Sequence, residues 1–277
     1  LDWAIGAAPR IKRRRATISR VNTEVLVVRC GTVPYEEAGV AQRWLRDARQ
    51  EQAIPDVLLL LEHPPVYSCG RRSTEEELPM AREWYEAQGI EVRETDRGGR
   101  VTYHGPGQLV AYPIVDLQPY GNDVHEYVRR LEQVAIGAIG DHGVSATTIE
   151  GLTGVWTGVP PSPEGRRDEI PGISTEIVPS AGEARKIGSI GVHVSRGVTT
   201  HGLAVNVSND LQPFGWIVPC GIEGCQVTSL SRELGEEQDL DAFADTVAAR
   251  FAEVYERKPT PASPADLGLD NARLGVA

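Results

Sequence analysis

The sequence predicts an α+β fold in which a mixed β-sheet is packed by helices, and three observations carry that reading. Short stretches of strand pattern follow one another in runs, with helical stretches only at intervals, so the strict alternation of a βαβ chain is absent. The run Val57–Leu61 is apolar without a break, as expected of a strand covered on both faces. Elsewhere apolar residues recur at helical spacing, as in Ala38, Ala41, Trp44, Leu45 and Ala48.

Taken in order, residues 1–22 are polar and basic without periodicity and read as a flexible extension, leaving 23–258 as a single domain. A strand at Val25–Cys30 leads through Pro34 into the first helix. Val57–Leu61 follows, with His63 at its end, then a Pro-Pro break and a shorter strand. Ile90–Thr95 and Gln108–Val115 read as strands flanking the glycine-rich RGGRVTYHGPG. Asn122 or Asp123 caps a second helix whose stripe is Val124, Tyr127, Val128, Leu131, Val134, Ala135 and Ala138. GLTGVWTG, KIGSIGVHV and HGLAVNV supply further strands before a last helix at about Leu240–Arg257. Pro160–Arg185 is rich in proline, glycine and charge and reads as a long loop, and the stretch 259–277 reads as a flexible tail.

Composition narrows the function. No apolar stretch of the 277 residues approaches the roughly 18 needed to span a bilayer, and the basic residues before Val25 are followed by no apolar signal core, so no membrane association and a cytoplasmic location are expected. A net charge of −11 argues against nucleic acid as a partner. Arg71 with Arg72, Arg97 with Arg100 and Arg129 with Arg130 are candidates for a local face toward acidic partners. Cys30, Cys69, Cys220 and Cys225 have neither the spacing of a disulfide framework nor that of a zinc site, so no metal is expected. Only three of the 28 basic residues are lysine, and one of these, Lys186, stands in mid-chain.

Chemistry-bearing residues fall into two groups. Arg97–Gln108 crowds four glycines, two arginines, Tyr103 and His104 into twelve residues, which suits a wall that approaches a ligand closely. It lacks the GxGxxG of a dinucleotide site. Cys220 stands between a proline and a glycine, in a rigid turn with little side-chain cover, whereas Cys30, Cys69 and Cys225 read as small buried hydrophobes. A neighbouring ammonium favours a thiolate, which makes Lys186 the preferred partner of Cys220. Alternation along KIGSIGVHV puts His193 on the opposite face from Lys186, and His201 fits a pocket or core role better than that of general base.

These motifs resemble the lipoyl(octanoyl) transferases. The similarity runs from GTVPYEEA through LLEHPPVYSCGRR, RGGRVTYHGPGQLVAYPIVDL, GLTGVW, KIGSIGVHVSRGVTTHGLAVNV and IVPCGI to VTSL, which is most of the folded region. It implies the fold of biotin and lipoate protein ligases, with a smaller second sheet beside the larger one. It implies Cys220 as the acyl-thioester nucleophile and Lys186 as the lysine that lowers its pKa. The implied substrate-binding segments are Arg97, Gly98, Gly99, Arg100, Val101, Thr102, Tyr103 and His104, then Ser189, Ile190 and Gly191, then Gly202, Leu203 and Ala204. The implied donor is octanoyl-acyl-carrier protein, the implied acceptors are lipoyl domains of 2-oxoacid dehydrogenases and the glycine-cleavage H protein, and no cofactor is called for. Thr157–Arg185 departs from the pattern as a long insertion where a short hairpin is expected, and the basic N-terminal extension is a second departure. Three rival functions are an ATP-dependent ligase on the same fold, a cysteine hydrolase and a catalytically silent binding module.

Overall fold

The computed structural model describes residues 23–159, 184–219 and 224–269. Its strands are β1 (Glu24–Thr32), β2 (Asp56–Glu62), β3 (Val66–Cys69), β4 (Glu91–Glu94), β5 (Thr102–His104), β6 (Gln108–Ile114), β7 (Ala146–Ile149), β8 (Leu152–Thr157), β9 (Arg185–Ser195), β10 (Val198–Asn206), β11 (Gln226–Val227) and β12 (Lys258–Ala262). Its helices are α1 (Tyr35–Gln50), α2 (Arg82–Ala87), α3 (Val124–Asp141), α4 (Leu230–Leu234) and α5 (Leu240–Val254).

The larger sheet is mixed, in the order β12-β1-β2-β6-β10-β9-β8-β7, with β11 added beside β9. Leu58 and Leu60 of β2 pack with α3 and α5 on one face, while Val57, Leu59 and Leu61 pack with α1 on the other. This two-sided burial explains the unbroken apolar run. A smaller sheet, β4-β3-β5, carries its own core of Tyr67, Tyr85, Tyr103, Phe214 and Ile217. The larger mixed sheet with a smaller one beside it is the expected α+β architecture. Of the two capping candidates, Asp123 caps α3, its carboxylate accepting from the N–H groups of His125 and Glu126 at 2.8 and 3.1 Å.

Two expectations need correction. The last helix stops at Val254, short of Arg257, because Glu256 adopts φ +52° and turns the chain. The segment from Pro259 begins as structure, with Lys258–Ala262 pairing in parallel with β1 and Leu267 and Leu269 buried beneath α1. Pro259 and Pro261 fit an edge strand because they alternate with the residues that donate inward, Lys258 giving its N–H to the Thr23 carbonyl. Helices α2 and α4 and strand β5 escaped sequence reading, each being too short to show a period. The extension 1–22, the rest of the tail from 270 and residues 160–183 of the insertion lie outside the described residues. The insertion's ends are paired neighbours, Thr157 opposite Arg185.

An ionic clamp holds this arrangement at one end. Asp56, 1% exposed, accepts from Arg49 of α1 at 2.9 Å, from Arg257 ahead of β12 at 3.1 Å, and from the Asp116 N–H at 3.2 Å. A polar seam joins the two sheets. His104 of β5 accepts from the Ser68 hydroxyl at Nε2 (3.1 Å) and donates from Nδ1 to Gln108 Oε1 (2.7 Å). The Gln108 amide donates to Asn206 Oδ1 (2.8 Å), and Asn206 Nδ2 donates to the Thr228 carbonyl (2.9 Å). Beside it, His63 donates from Nδ1 to the Val33 carbonyl (2.6 Å), which leaves Nε2 to accept from the Tyr112 hydroxyl (2.8 Å).

Removing the carboxylate of the clamp takes the carboxylate partner from the buried Arg257 guanidinium and leaves that of Arg49 only Asp116, at 3.5 Å. Asp56→Ala is expected to lower the unfolding free energy by about 3–5 kcal/mol in urea titration; a loss well under 1 kcal/mol would show that the clamp is dispensable. Acid sensitivity follows from the seam. Burial lowers the pKa of His63 to about 4 and holds that of His104 well below the ordinary value. Above the unfolded value of about 6.5 both states leave His63 neutral, so its neutrality costs nothing. Between there and pH 4 the unfolded chain takes up a proton that the native state excludes, so stability falls as pH falls, by roughly 3 kcal/mol from His63 alone. A urea midpoint that is level from pH 7 to pH 4.5 would contradict this.

Candidate active site

A cleft of about 900 Å³ opens between the two sheets. One wall is the glycine-rich segment after β4. A second is the first half of α3 with the β7–β8 turn, and the floor is β9 and β10.

Backbone proximity shapes the floor. Gly98 donates its N–H to the Val192 carbonyl at 2.8 Å, so the glycine wall lies directly on β9. A Cβ on Gly191 would sit 2.8 Å from the Gly98 carbonyl oxygen, and one on Gly202 would sit 2.2 Å from that of Ala111. Arg97, 6% exposed, braces the wall from behind, donating from Nε to the Ser68 hydroxyl (3.2 Å) and from its terminal nitrogens to that hydroxyl (2.8 Å) and to the Gly98 carbonyl (3.0 Å).

The cleft gathers Arg97, Gly98, Gly99, Arg100, Thr102 and His104 from one side. From the floor it gathers Ser189, Ile190, Gly191, Gly202, Leu203 and Ala204, and Lys186 at one end. Val101 and Tyr103 are exceptions. They alternate with Thr102 and His104, so their side chains turn away into the core of the small sheet, where Tyr103 meets Phe214 with ring centroids 5.5 Å apart. Their placement among the substrate-binding side chains is therefore corrected.

Lys186 is 4% exposed, with Nζ 5.4 Å from the Trp156 ring centre and 3.4 Å from the Thr153 carbonyl, to which it donates. Its stem passes over Gly154, whose φ of +130° suits glycine and where a Cβ would lie 2.9 Å from Lys186 Cε. Glycine in GLTGVW is thus a requirement for seating the lysine.

Cys220 lies outside the described residues, which hold both of its flanks. Upstream, the Val218 N–H donates to the Glu77 carbonyl (3.0 Å), and the Glu77 carboxylate pairs with Arg100 and accepts from the Val101 N–H. Downstream, Val227 is paired with Lys186 in register, and the Thr228 N–H donates to the Lys186 carbonyl (2.9 Å). Cys30 and Cys69 are buried, and burial raises both thiol pKa values, that of Cys30 to about 12. Cys225 is partly exposed, against the expectation of burial.

His201 lines the cleft at the far end of the strand pair from Lys186, with φ +57° and Nε2 2.8 Å from Asp96 Oδ1. Burial lowers its pKa against the opposing pull of Asp96. His193 stands on the other side of that carboxylate, at 3.7 Å, and does not line the cleft. Sequence reasoning missed Tyr35, Tyr112 and Glu132 as cleft residues. Glu132 had a signal, since it continues the line Val124, Val128 at spacings of four along α3.

The sequence profile of the lipoyl protein ligase A/B catalytic domain matches residues 34–252. The chain is 43% identical over 242 residues to an octanoyltransferase of Acidothermus cellulolyticus, covering 85% of this chain and 97% of that protein. It is 42% identical over 241 residues to that of Mycolicibacterium smegmatis, covering 87% and 93%. Among solved structures, the bipartite lipoate protein ligase of Thermoplasma acidophilum superposes with a TM-score of 0.63 at 14% identity, covering 87% of this chain and 88% of that one. A lipoate-protein ligase A with bound ATP superposes at 0.60 and 13% identity, covering 92% and 100%. These two similarities speak for the fold. The profile match and the curated relatives together show that the chain belongs to the lipoyl protein ligase A/B catalytic domain family, alongside the octanoyltransferases.

Proposed function

We propose that the protein transfers an octanoyl group from octanoyl-acyl-carrier protein to a lysine of lipoyl-accepting domains, by way of a thioester on Cys220. The observation that carries this reading is the seating of Lys186. This lysine is buried at one end of the cleft and hydrogen-bonded through its own backbone to the segment that follows Cys220.

The chemistry follows from the groups present. Lys186 takes the thiol proton and as an ammonium favours the thiolate, and the Cys220 sulfur attacks the carbonyl carbon of the octanoyl thioester. Backbone N–H groups of the glycine-rich turns meet the oxyanion. When the tetrahedral intermediate collapses, the carrier's thiolate leaves and takes the proton from the Lys186 ammonium, which restores neutral lysine. The acceptor lysine, having given its ammonium proton to solvent, attacks the enzyme thioester as a neutral amine, gives a further proton to Lys186, and displaces the cysteine thiolate, which takes that proton from Lys186 as the amide product departs. Amide formation from a thioester runs downhill, so the acyl group needs no prior activation by a nucleotide. The partners in this reading are the acyl-carrier protein as donor and, as acceptors, the lipoyl domains of 2-oxoacid dehydrogenases and the glycine-cleavage H protein. Cytoplasmic reaction is part of the same reading, and no helix among the described residues is long and apolar enough to cross a membrane.

Incubation with octanoyl-acyl-carrier protein and no acceptor is expected to add one octanoyl mass, mapped by peptide mass spectrometry to Cys220. An adduct on Cys225 or Cys69 would displace the assignment, and pyrophosphate release on supplying free octanoate with ATP would favour a ligase. Lys186→Arg separates proton transfer from charge, because arginine keeps the cation but does not exchange its proton near pH 7. General acid–base assistance is worth about a hundred- to ten-thousand-fold, so transfer is expected to fall at least about a hundred-fold. Near-full turnover would leave Lys186 as a counter-charge only.

A further inference from the structure

Transfer from an octanoyl-enzyme to a protein lysine poses a problem that the charges of the cleft sharpen. The incoming side chain has an ordinary pKa of about 10.4 and arrives as an ammonium. Cations dominate the cleft lining, with Arg72, Arg97, Arg100, Arg129 and Lys186 all present. Two carboxylates line it as well, Glu132 and Glu150. Glu150 is exposed, at the tip of the β7–β8 turn.

Glu132 is placed differently. Its Oε1 accepts from the Gly154 N–H at 3.2 Å. The carbonyl of the same peptide unit, that of Thr153, accepts from Lys186 Nζ at 3.4 Å. A single peptide plane therefore separates the carboxylate from the lysine, and Gly154 gives that plane its orientation through its φ of +130°. Only one carboxylate oxygen is engaged in a hydrogen bond to the described residues. Burial raises the Glu132 pKa, with the Gly154 N–H and the Arg129 charge pulling the other way.

We propose that Glu132 is the docking group for the acceptor's lysine, its carboxylate receiving the ε-ammonium in the cleft one peptide unit away from Lys186. Resting on the octanoyltransferase reading, this assigns a subsite within the same cleft. The placement fits the need, because the amine has to reach the thioester beside Lys186 through a cleft lined by Arg72, Arg97, Arg100 and Arg129, where a further cation meets repulsion unless an anion offsets it.

Glu132→Gln tests this while keeping an oxygen for the Gly154 N–H, and thermal melting checks that the variant folds. Three rates are measured on the full chain: octanoyl-enzyme formation from octanoyl-acyl-carrier protein, transfer to a lipoyl domain, and cleavage of the isolated octanoyl-enzyme by hydroxylamine, an amine that is uncharged at neutral pH. Transfer to the lipoyl domain is expected to fall about ten-fold more than either of the other two, mainly as a raised KM for the domain. A parallel fall in all three would overturn the proposal and make Glu132 a positioning residue for Lys186. Unchanged transfer would overturn it outright. Absence of any octanoyl-enzyme in the wild-type protein would instead refute the underlying function, so the two failures are distinguishable.

Discussion

Direct backbone contact between the glycine wall and the sheet floor is the constraint on which the cleft depends. The Gly98–Val192 hydrogen bond, the flush surfaces at Gly191 and Gly202, and the Arg97 brace form one seam, and both walls take their positions from it. A side chain at Gly191 would push the glycine wall off the sheet, and one at Gly202 would collide with Ala111 of the neighbouring strand β6. The lining residues come from segments as distant in sequence as Arg97 and Gly202, so their convergence is a property of the seam.

Behind the seam, a chain of buried polar groups is linked by hydrogen bonds, which makes the arrangement specific. Ser68, His104, Gln108, Asn206 and Thr228 pass hydrogen bonds from the small sheet to the segment that pairs with the Lys186 strand. Each amide in that chain has its orientation dictated by a neighbour that can act in one sense only. Leaving any one member without its partner costs the desolvation of a buried polar group, which discourages alternative registers between the sheets. The position of Lys186 is thereby coupled to that of the glycine wall, although no side chain runs directly from one to the other.

Much of this was legible in the sequence, and what was hidden has physical causes. Long periodic elements declared themselves: the unbroken run in β2, the capped stripe of α3 and the glycine crowding at 97–108. Lys186, one of three lysines in the chain, is a mid-chain exception to the use of arginine, and the structure buries it at one end of the cleft. Short elements such as β5 and α2 carry too few residues for a period, and β12 was hidden because proline alternation suits an edge strand as well as a tail. Val101 and Tyr103 were grouped with the cleft because a motif marks a segment, whereas strand alternation assigns only every second side chain to one face.

Placing a lysine in a protein interior requires that its stem be admitted and its amine be given a partner. Gly154 meets the first requirement by its missing side chain, and the Thr153–Gly154 peptide meets the second by presenting a carbonyl to Nζ while its N–H is held by Glu132. The peptide set between the two keeps the carboxylate and the amine from direct contact, and one carboxylate oxygen makes no hydrogen bond to the described residues. On the proposed reading, that separation lets one cleft hold a base for the thiol and a counter-ion for an amine without a direct ion pair between them.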